Sequence, residues 1–97
     1  MPSSPIHPGE ILKDELDALD MSASALARAV HVPANRISQI LSGKRNISAD
    51  TALRLGRLFG TGPRFWLNLQ IAYELDVTKA TNDPDLDSIV PLSEMAV

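Results

Sequence analysis

Residues 22–42 run SASALARAVHVPANRISQILS, two short apolar-periodic segments on either side of a break at His31, Val32 and Pro33. Leu26, Ala27 and Val30 recur at i, i+1 and i+4, which places them on one face of a helix. After the break, Ile37, Ile40 and Leu41 recur at i, i+3 and i+4 and do the same. Each segment is only about two to three turns long, too short to hold a helix alone, so the two must pack on each other and on a shared core. Two short helices joined by a tight turn form a helix-turn-helix, whose second helix can lie in the DNA major groove. Side-chain sizes agree with this. Ala27 sits where the helices would cross most closely and only a small side chain fits, Ile37 ten residues later points back into the core, and Val32 plugs the turn.

The outward face of the second segment carries Ala34, Asn35, Arg36, Ser38 and Gln39. Asn and Gln can bond adenine bidentately, Arg can do so to guanine, and Ser is an adaptable donor or acceptor. On an isolated helix such a face would pass for ordinary solvated surface. Here GKRN (43–46) follows at once, setting Lys44, Arg45 and Asn46 where the backbone would leave the groove. Phosphate contacts of that kind fix register without reading sequence.

Ninety-seven residues make one small domain with little surplus for a second. A hydrophobic share of 44% suits a globular chain, and an aromatic share of only 4% points to a helical core of Leu, Ile and Ala. The absence of cysteine excludes disulfides and thiolate metal sites and makes a reducing cytosol the natural home. No charged-then-apolar leader opens the sequence, and no apolar run approaches the ~18 residues of a membrane span. The most apolar stretch, 65–77, is interrupted by Asn68, Gln70, Glu74 and Asp76, so a soluble, cytoplasmic protein is expected. The net charge of −3 hides an asymmetry that matters more than the total. Residues 1–27 set Lys13 against five carboxylates and 65–97 set Lys79 against six, whereas 28–64 hold Arg28, Arg36, Lys44, Arg45, Arg54, Arg57 and Arg64 against Asp50 alone. A basic centre between acidic ends is the electrostatic footprint of a phosphate partner, with acidic surface left for a basic one.

The remaining elements follow from capping chemistry and periodicity. Residues 1–6 form a loose arm, and 7–78 are expected to make one helical DNA-binding domain. His7, Pro8, Gly9 and Glu10 start its first helix, since Pro suits the first helical position and a Glu three residues after His7 can meet the unpaired N–H groups of the first turn. A catalytic His7–Glu10 pair would need a nucleophile, a metal cluster or a phosphate loop beside it, and none accompanies it. Ile11, Leu12, Leu16 and Leu19 are the predicted buried stripe, to about Asp20, while Glu10, Asp14, Glu15 and Asp17 face outward. Ser22 caps the second helix and Ser48 the fourth, whose inward face is Ala52, Leu55, Gly56 and Phe59; Arg54 and Arg57 are expected in solvent. Gly60 ends that helix, and TGP (61–63) sets up a fifth. This fifth helix is apolar on more than one face. Trp66, Leu69 and Tyr73 line one stripe, while Phe65, Leu67, Ile71 and Leu75 spread beyond it and are the predicted homodimer interface. The segment 79–97 is a tail, extended or disordered.

HPGEIL (7–12), the helix-turn-helix at 22–42, GKRNIS (43–48) and GTGPRFWLNLQIAYEL (60–75) together resemble the HigA family of addiction-module antitoxins. The match covers nearly the whole chain before the tail. A helix-turn-helix alone would indicate only an Xre/Cro-like repressor; the opening and closing motifs are more specific. The resemblance implies an all-α fold, a five-helix lambda-repressor-like domain without enzymatic activity, metal or cofactor. It further implies a homodimer that represses its operon on double-stranded operator DNA and binds a small, basic, HigB-type mRNA-cleaving toxin. By position, Asn35, Arg36, Ser38 and Gln39 would face base edges, and Ser22, Ser24, Lys44, Arg45 and Asn46 would approach phosphates. No fixed toxin surface transfers, and Glu10, Asp14, Glu15 and Asp17 are assigned to the toxin from charge alone. A stand-alone or phage-type repressor would use the same DNA-reading element. An enzyme or metal-dependent protein finds no support in two histidines on different elements without ligand spacing.

Two residues depart from the family pattern. Pro33 stands where Ser or Thr would cap the second reading segment and is expected at its first helical position, and His31 stands where a left-handed turn usually selects Gly. A non-Gly residue there costs about 1–2 kcal/mol. His31→Gly is therefore expected to raise the denaturation midpoint, and an unchanged or lowered midpoint would contradict a left-handed turn at this position.

Overall fold

The computed structural model describes residues 4–95, and over them it is helical without a strand. The elements are α1 (Pro8–Leu19), α2 (Ala23–Val30), α3 (Ala34–Leu41), α4 (Ala49–Phe59), α5 (Pro63–Ala80), a one-turn α6 (Pro84–Asp87) and a 3-10 turn at Leu92–Glu94. Residues 1–3 of the expected arm and 96–97 of the expected tail lie outside the described residues.

The predicted boundaries follow from local chemistry. His7 accepts the Gly9 N–H on its Nδ1 while its own N–H donates to Glu10, a reciprocal capping box with Pro8 at the first helical position. The Ser22 hydroxyl accepts from the Ala25 N–H and the Ser48 hydroxyl from the Thr51 N–H, each closing the start of its helix. His31 ends α2 in the left-handed region at φ +61°, and the Val32 N–H returns to the Ala27 carbonyl at 3.0 Å to close the turn. Gly60 ends α4 in the same region.

Three expectations are corrected. Pro33 is the residue before α3, not its first: its ψ of 145° is extended, and its carbonyl accepts the Arg36 N–H as a cap residue's does. Leu19 is 54% exposed, because α1 stops there at a left-handed Asp20 and Met21 turns back onto the core instead. The expected tail carries two short helical turns, Pro84–Asp87 and Leu92–Glu94, with 89–91 in neither helix nor strand between them. The fifth helix continues to Ala80, and Asp83 then caps a further turn by accepting the Asp85 N–H. Every residue from 81 to 95 is exposed, so these turns add nothing to the core.

One cluster forms that core. Leu12, Leu16, Leu26, Ala27, Val30, Ile37, Ile40, Ile47, Ala52, Leu55 and Trp66 are buried, with Val32, Leu41, Phe59, Leu67 and Leu69 packed on its margin. A fully buried Leu or Ile contributes roughly 1.5–3 kcal/mol, so Leu26, Ile37, Ile40 and Leu55 supply what short helices lack in intrinsic stability. Trp66 lies between the rings of Phe59 and Phe65, at 5.7 and 5.0 Å, with its indole N–H buried and unpartnered. Backbone proximity fixes two packing points. A Cβ on Gly56 would come within 2.3 Å of the Gly62 backbone, and one on Gly9 within 1.9 Å of the Ile40 carbonyl oxygen. At both, only glycine lets the two segments touch.

Gly9→Ala must push α1 away from α3. It is expected to cost about 1–3 kcal/mol in urea denaturation, the range for overpacking. A cost near zero would show that α1 and α3 do not meet backbone to backbone.

Candidate nucleic-acid interface

The helix that would read DNA is held from behind. Ile37 and Ile40 are fully buried, which turns Asn35 and Ser38 outward and leaves Arg36 and Gln39 half-exposed beside them. The four predicted base-reading residues therefore share one accessible side of α3. Their polar atoms are partly engaged. Ser38 Oγ donates to the Asn35 carbonyl at 3.2 Å, leaving its lone pairs free, and Gln39 Oε1 accepts from Arg45 Nε at 2.9 Å, leaving a second lone pair and the amide NH2. That second bond joins a predicted base reader to a predicted phosphate contact.

Lys44 and Arg45 are exposed in the loop after α3, where Gly43 turns the chain at φ +79°. Ser22 and Ser24 are exposed at the start of α2. Asn46 differs from its neighbours, since its amide reaches Glu74 of α5 at 3.5 Å rather than standing beside the cations. The reason is an anchor that sequence reasoning missed. Gln70, only 5% exposed, accepts the Ile47 N–H at 2.7 Å on its Oε1 and donates to Glu74 at 3.2 Å from its Nε2. Its position four residues after Trp66, on the same helical face, was the available signal.

Asp50 lies in the first turn of α4, where a carboxylate favours the helix start. It also accepts from Arg36 Nη1 at 3.0 Å and from Arg54 Nε at 3.0 Å. The hydrogen bond from Arg54, with Arg36 adding to it, holds its carboxyl below the ordinary carboxylate value. Arg54 departs from its expected solvent exposure, because its Nη1 donates back to the Val30 carbonyl at 2.9 Å.

The acidic residues Glu10, Asp14, Glu15 and Asp17 are all exposed on α1, with Asp17 paired to Lys13 at 3.1 Å. A shallow groove lined by Lys13, Asp17, Met21, Ser38, Leu41 and Ser42 connects that side of α1 to the flank of α3. On α5, Ile71 and Leu75 are each 53% exposed and Phe65 is 40% exposed, whereas Leu67 packs on the core margin. Among the described residues, no group of three or more His, Cys, Asp or Glu is placed to hold a metal, and no helix is long and apolar enough to cross a membrane.

Residues 12–66 match the helix-turn-helix family, the class that this arrangement of α2 and α3 defines. An addiction-module antidote protein of the HigA family from Coxiella burnetii is 50% identical and superposes with a TM-score of 0.86, over 92% of this chain and 99% of its own. The antitoxin HigA of Pseudomonas aeruginosa, solved with the higBA promoter, is also 50% identical, with a TM-score of 0.84 over 91% of this chain and 98% of its own. Virulence-associated protein I of Dichelobacter nodosus is 48% identical over 91% of this chain and 82% of its own length. The chain belongs to the HigA family of antitoxins, non-enzymatic helix-turn-helix proteins. His7 and Glu10 accordingly serve as a helix cap and not as a catalytic pair.

His7 is buried against Tyr73, ring edge to ring at 4.8 Å, beneath the loop that carries Lys44 and Arg45. Burial lowers its pKa below 6.5; the Glu10 charge and the Arg45 backbone pull the other way and do not offset it. Nε2 finds no partner in hydrogen-bonding geometry, so the Arg45 backbone offers only a weak contact. Below its ordinary pKa the unfolded chain binds a proton that the folded chain resists. Stability from this site is therefore present above pH 6.5 and lost as pH falls through the lowered folded-state value. Urea midpoints should fall between about pH 7.5 and pH 5.5. His7→Asn, which keeps a capping oxygen but does not titrate, should fall less; equal slopes would contradict a neutral buried His7.

Proposed function

We propose that this protein is a cytoplasmic antitoxin that represses its own operon as a homodimer on double-stranded operator DNA and neutralises a small, basic, HigB-type mRNA-cleaving toxin by direct binding. The carrying observation is the polar side of α3, seated by Ile37 and Ile40, with Lys44 and Arg45 at its exit. The 50% identical relative solved with its promoter supports this reading.

Asn35, Arg36, Ser38 and Gln39 are assigned to base edges. Gln39 Oε1 keeps a second lone pair beside its bond from Arg45, so Gln39 can bond adenine bidentately while Arg45 stays alongside it and takes a neighbouring phosphate with its remaining donors. Lys44, Ser22 and Ser24 take neighbouring phosphates, and Asn46 joins them on leaving Glu74. Residues 7–78 form the DNA-binding and dimerisation domain. Phe65, Ile71 and Leu75 are the centre of the proposed dimer contact and Leu67 its inner edge. The acidic face of α1, with Glu10, Asp14, Glu15 and Asp17, is assigned to the basic toxin. The groove from Asp17 to Ser38 would bring a bound toxin beside the reading helix.

Co-expression with the neighbouring open reading frame and footprinting upstream test the whole. A short basic protein should co-purify, and a palindrome with half-sites about 34–36 Å apart should be protected. If no such protein is found, the repressor stands without a toxin. Affinity should fall by about 10³–10⁵ between 50 and 200 mM salt if roughly 6–10 phosphates are neutralised. Gln39→Ala should relax preference at one base pair at a cost of about 1–3 kcal/mol, and uniform weakening on all DNA would remove Gln39 from the groove.

A further inference from the structure

Asp50 is the single carboxylate in the basic centre, and its place there is costly for a protein that must approach phosphate. Its geometry is specific. Oδ2 accepts from Arg36 Nη1 and from Arg54 Nε, both at 3.0 Å, and Oδ1 accepts again from Arg54 Nε at 3.2 Å. Arg54 is tied down in turn, its Nη1 donating to the Val30 carbonyl at 2.9 Å and to the His31 carbonyl at 3.4 Å. An unbroken set of polar contacts thus runs from the end of α2, through α4, to a side chain on the reading face of α3.

We propose that Asp50 is a specificity-determining residue that aims Arg36. This rests on α3 being the DNA-reading helix. A guanidinium has five N–H donors in a rigid fork, and Asp50 occupies one at Nη1, leaving others for a guanine edge. Without the carboxylate Arg36 is an unrestrained cation, and the strongest field such a cation meets on DNA is that of the phosphates. Asp50 therefore lowers affinity for any duplex while raising the share of Arg36 aimed at a base. Arg54 keeps the carboxylate in place, so that the aim is set by the protein before DNA arrives.

The test uses the full chain as wild type, Asp50→Ala, Asp50→Asn, Arg36→Ala and the Asp50→Ala/Arg36→Ala double variant. Each is titrated against the footprinted operator, its single-base-pair substitutions and an unrelated duplex of equal length, over a range of salt. Asp50→Ala should bind the unrelated duplex more tightly, with a salt dependence steeper by up to about one counterion. Its operator-to-unrelated affinity ratio should drop about tenfold, with the loss concentrated at one base pair of each half-site. In the Arg36→Ala background the same substitution should change selectivity at that base pair no further. Asp50→Asn, which keeps one acceptor oxygen and a residue suited to the helix start, should lie between wild type and Asp50→Ala; it carries the comparison if Asp50→Ala melts. A purely structural role would lower the melting temperature and both affinities together, and that result overturns the proposal. So does an unchanged ratio, or a loss that persists without Arg36. A wild-type chain with no sequence preference would remove the DNA-reading assignment and this proposal with it. A selective wild type beside an equally selective Asp50→Ala removes the aiming role alone.

Discussion

At Gly9 the first turn of α1 lies against the Ile40 carbonyl so closely that any side chain would collide with it. This approach brings the start of one helix to the end of another and leaves Ile37 and Ile40 no direction but inward. A helix of eight residues has little stability of its own, so its orientation is set by what it rests on. The opening motif HPGE is thereby explained from both sides. His7, Pro8 and Glu10 make the helix begin, and Gly9 makes it fit.

A second constraint acts through polar atoms. The loop after α3 cannot be held by apolar packing alone, because its cations must stay in water. Ile47 buries its side chain in the core and gives its N–H to Gln70, which is held in turn by Glu74. His7, which lies beside Gly43 of the same loop, packs edge to face on Tyr73. A buried amide that satisfies a backbone N–H in this way is expensive to leave unpaired, so the loop's position is well determined. The arrangement also ties the proposed phosphate contacts to α5, the helix proposed to join two copies, and half-site spacing on an operator depends on that rigidity.

The charges divide the surface in a consistent way. Arg36, Lys44 and Arg45 lie on and just after α3 and Arg54 and Arg57 on α4, carboxylates lie on α1 and from Glu74 onward, and Asp50, the single acid of residues 28–64, is held by two arginines. Surface ion pairs contribute little to stability, so the role proposed for the cluster at Asp50 lies in where it points Arg36 and not in what it adds to folding.

Periodicity and capping chemistry were enough to place α1 to α5, the left-handed turn at His31 and the polar face Asn35, Arg36, Ser38 and Gln39, because each of these is written in residues within a turn or two of one another. Local signals misled where two local roles compete or where the chain's path decides. Proline suits both the cap and the first helical position, so Pro33 was misplaced by one residue. Leu19 is in register with Leu12 but falls where the helix ends. Turns at Asp83 and Leu92 form on capping and backbone bonds that leave little apolar pattern. Gln70 with Ile47, the Arg54 link to Val30 of α2, the Arg36–Asp50 pair and the departure of Asn46 toward Glu74 all join residues 14 to 28 apart. Spacing along the chain could mark Gln70 as buried, four residues after Trp66, but it names the partner of none of these residues. The amino-acid order by itself determined which segments are helical and which face of each is apolar; the packing of one backbone on another decided where the arginines, the amides and the single carboxylate meet, because those distances exist only once the helices have crossed.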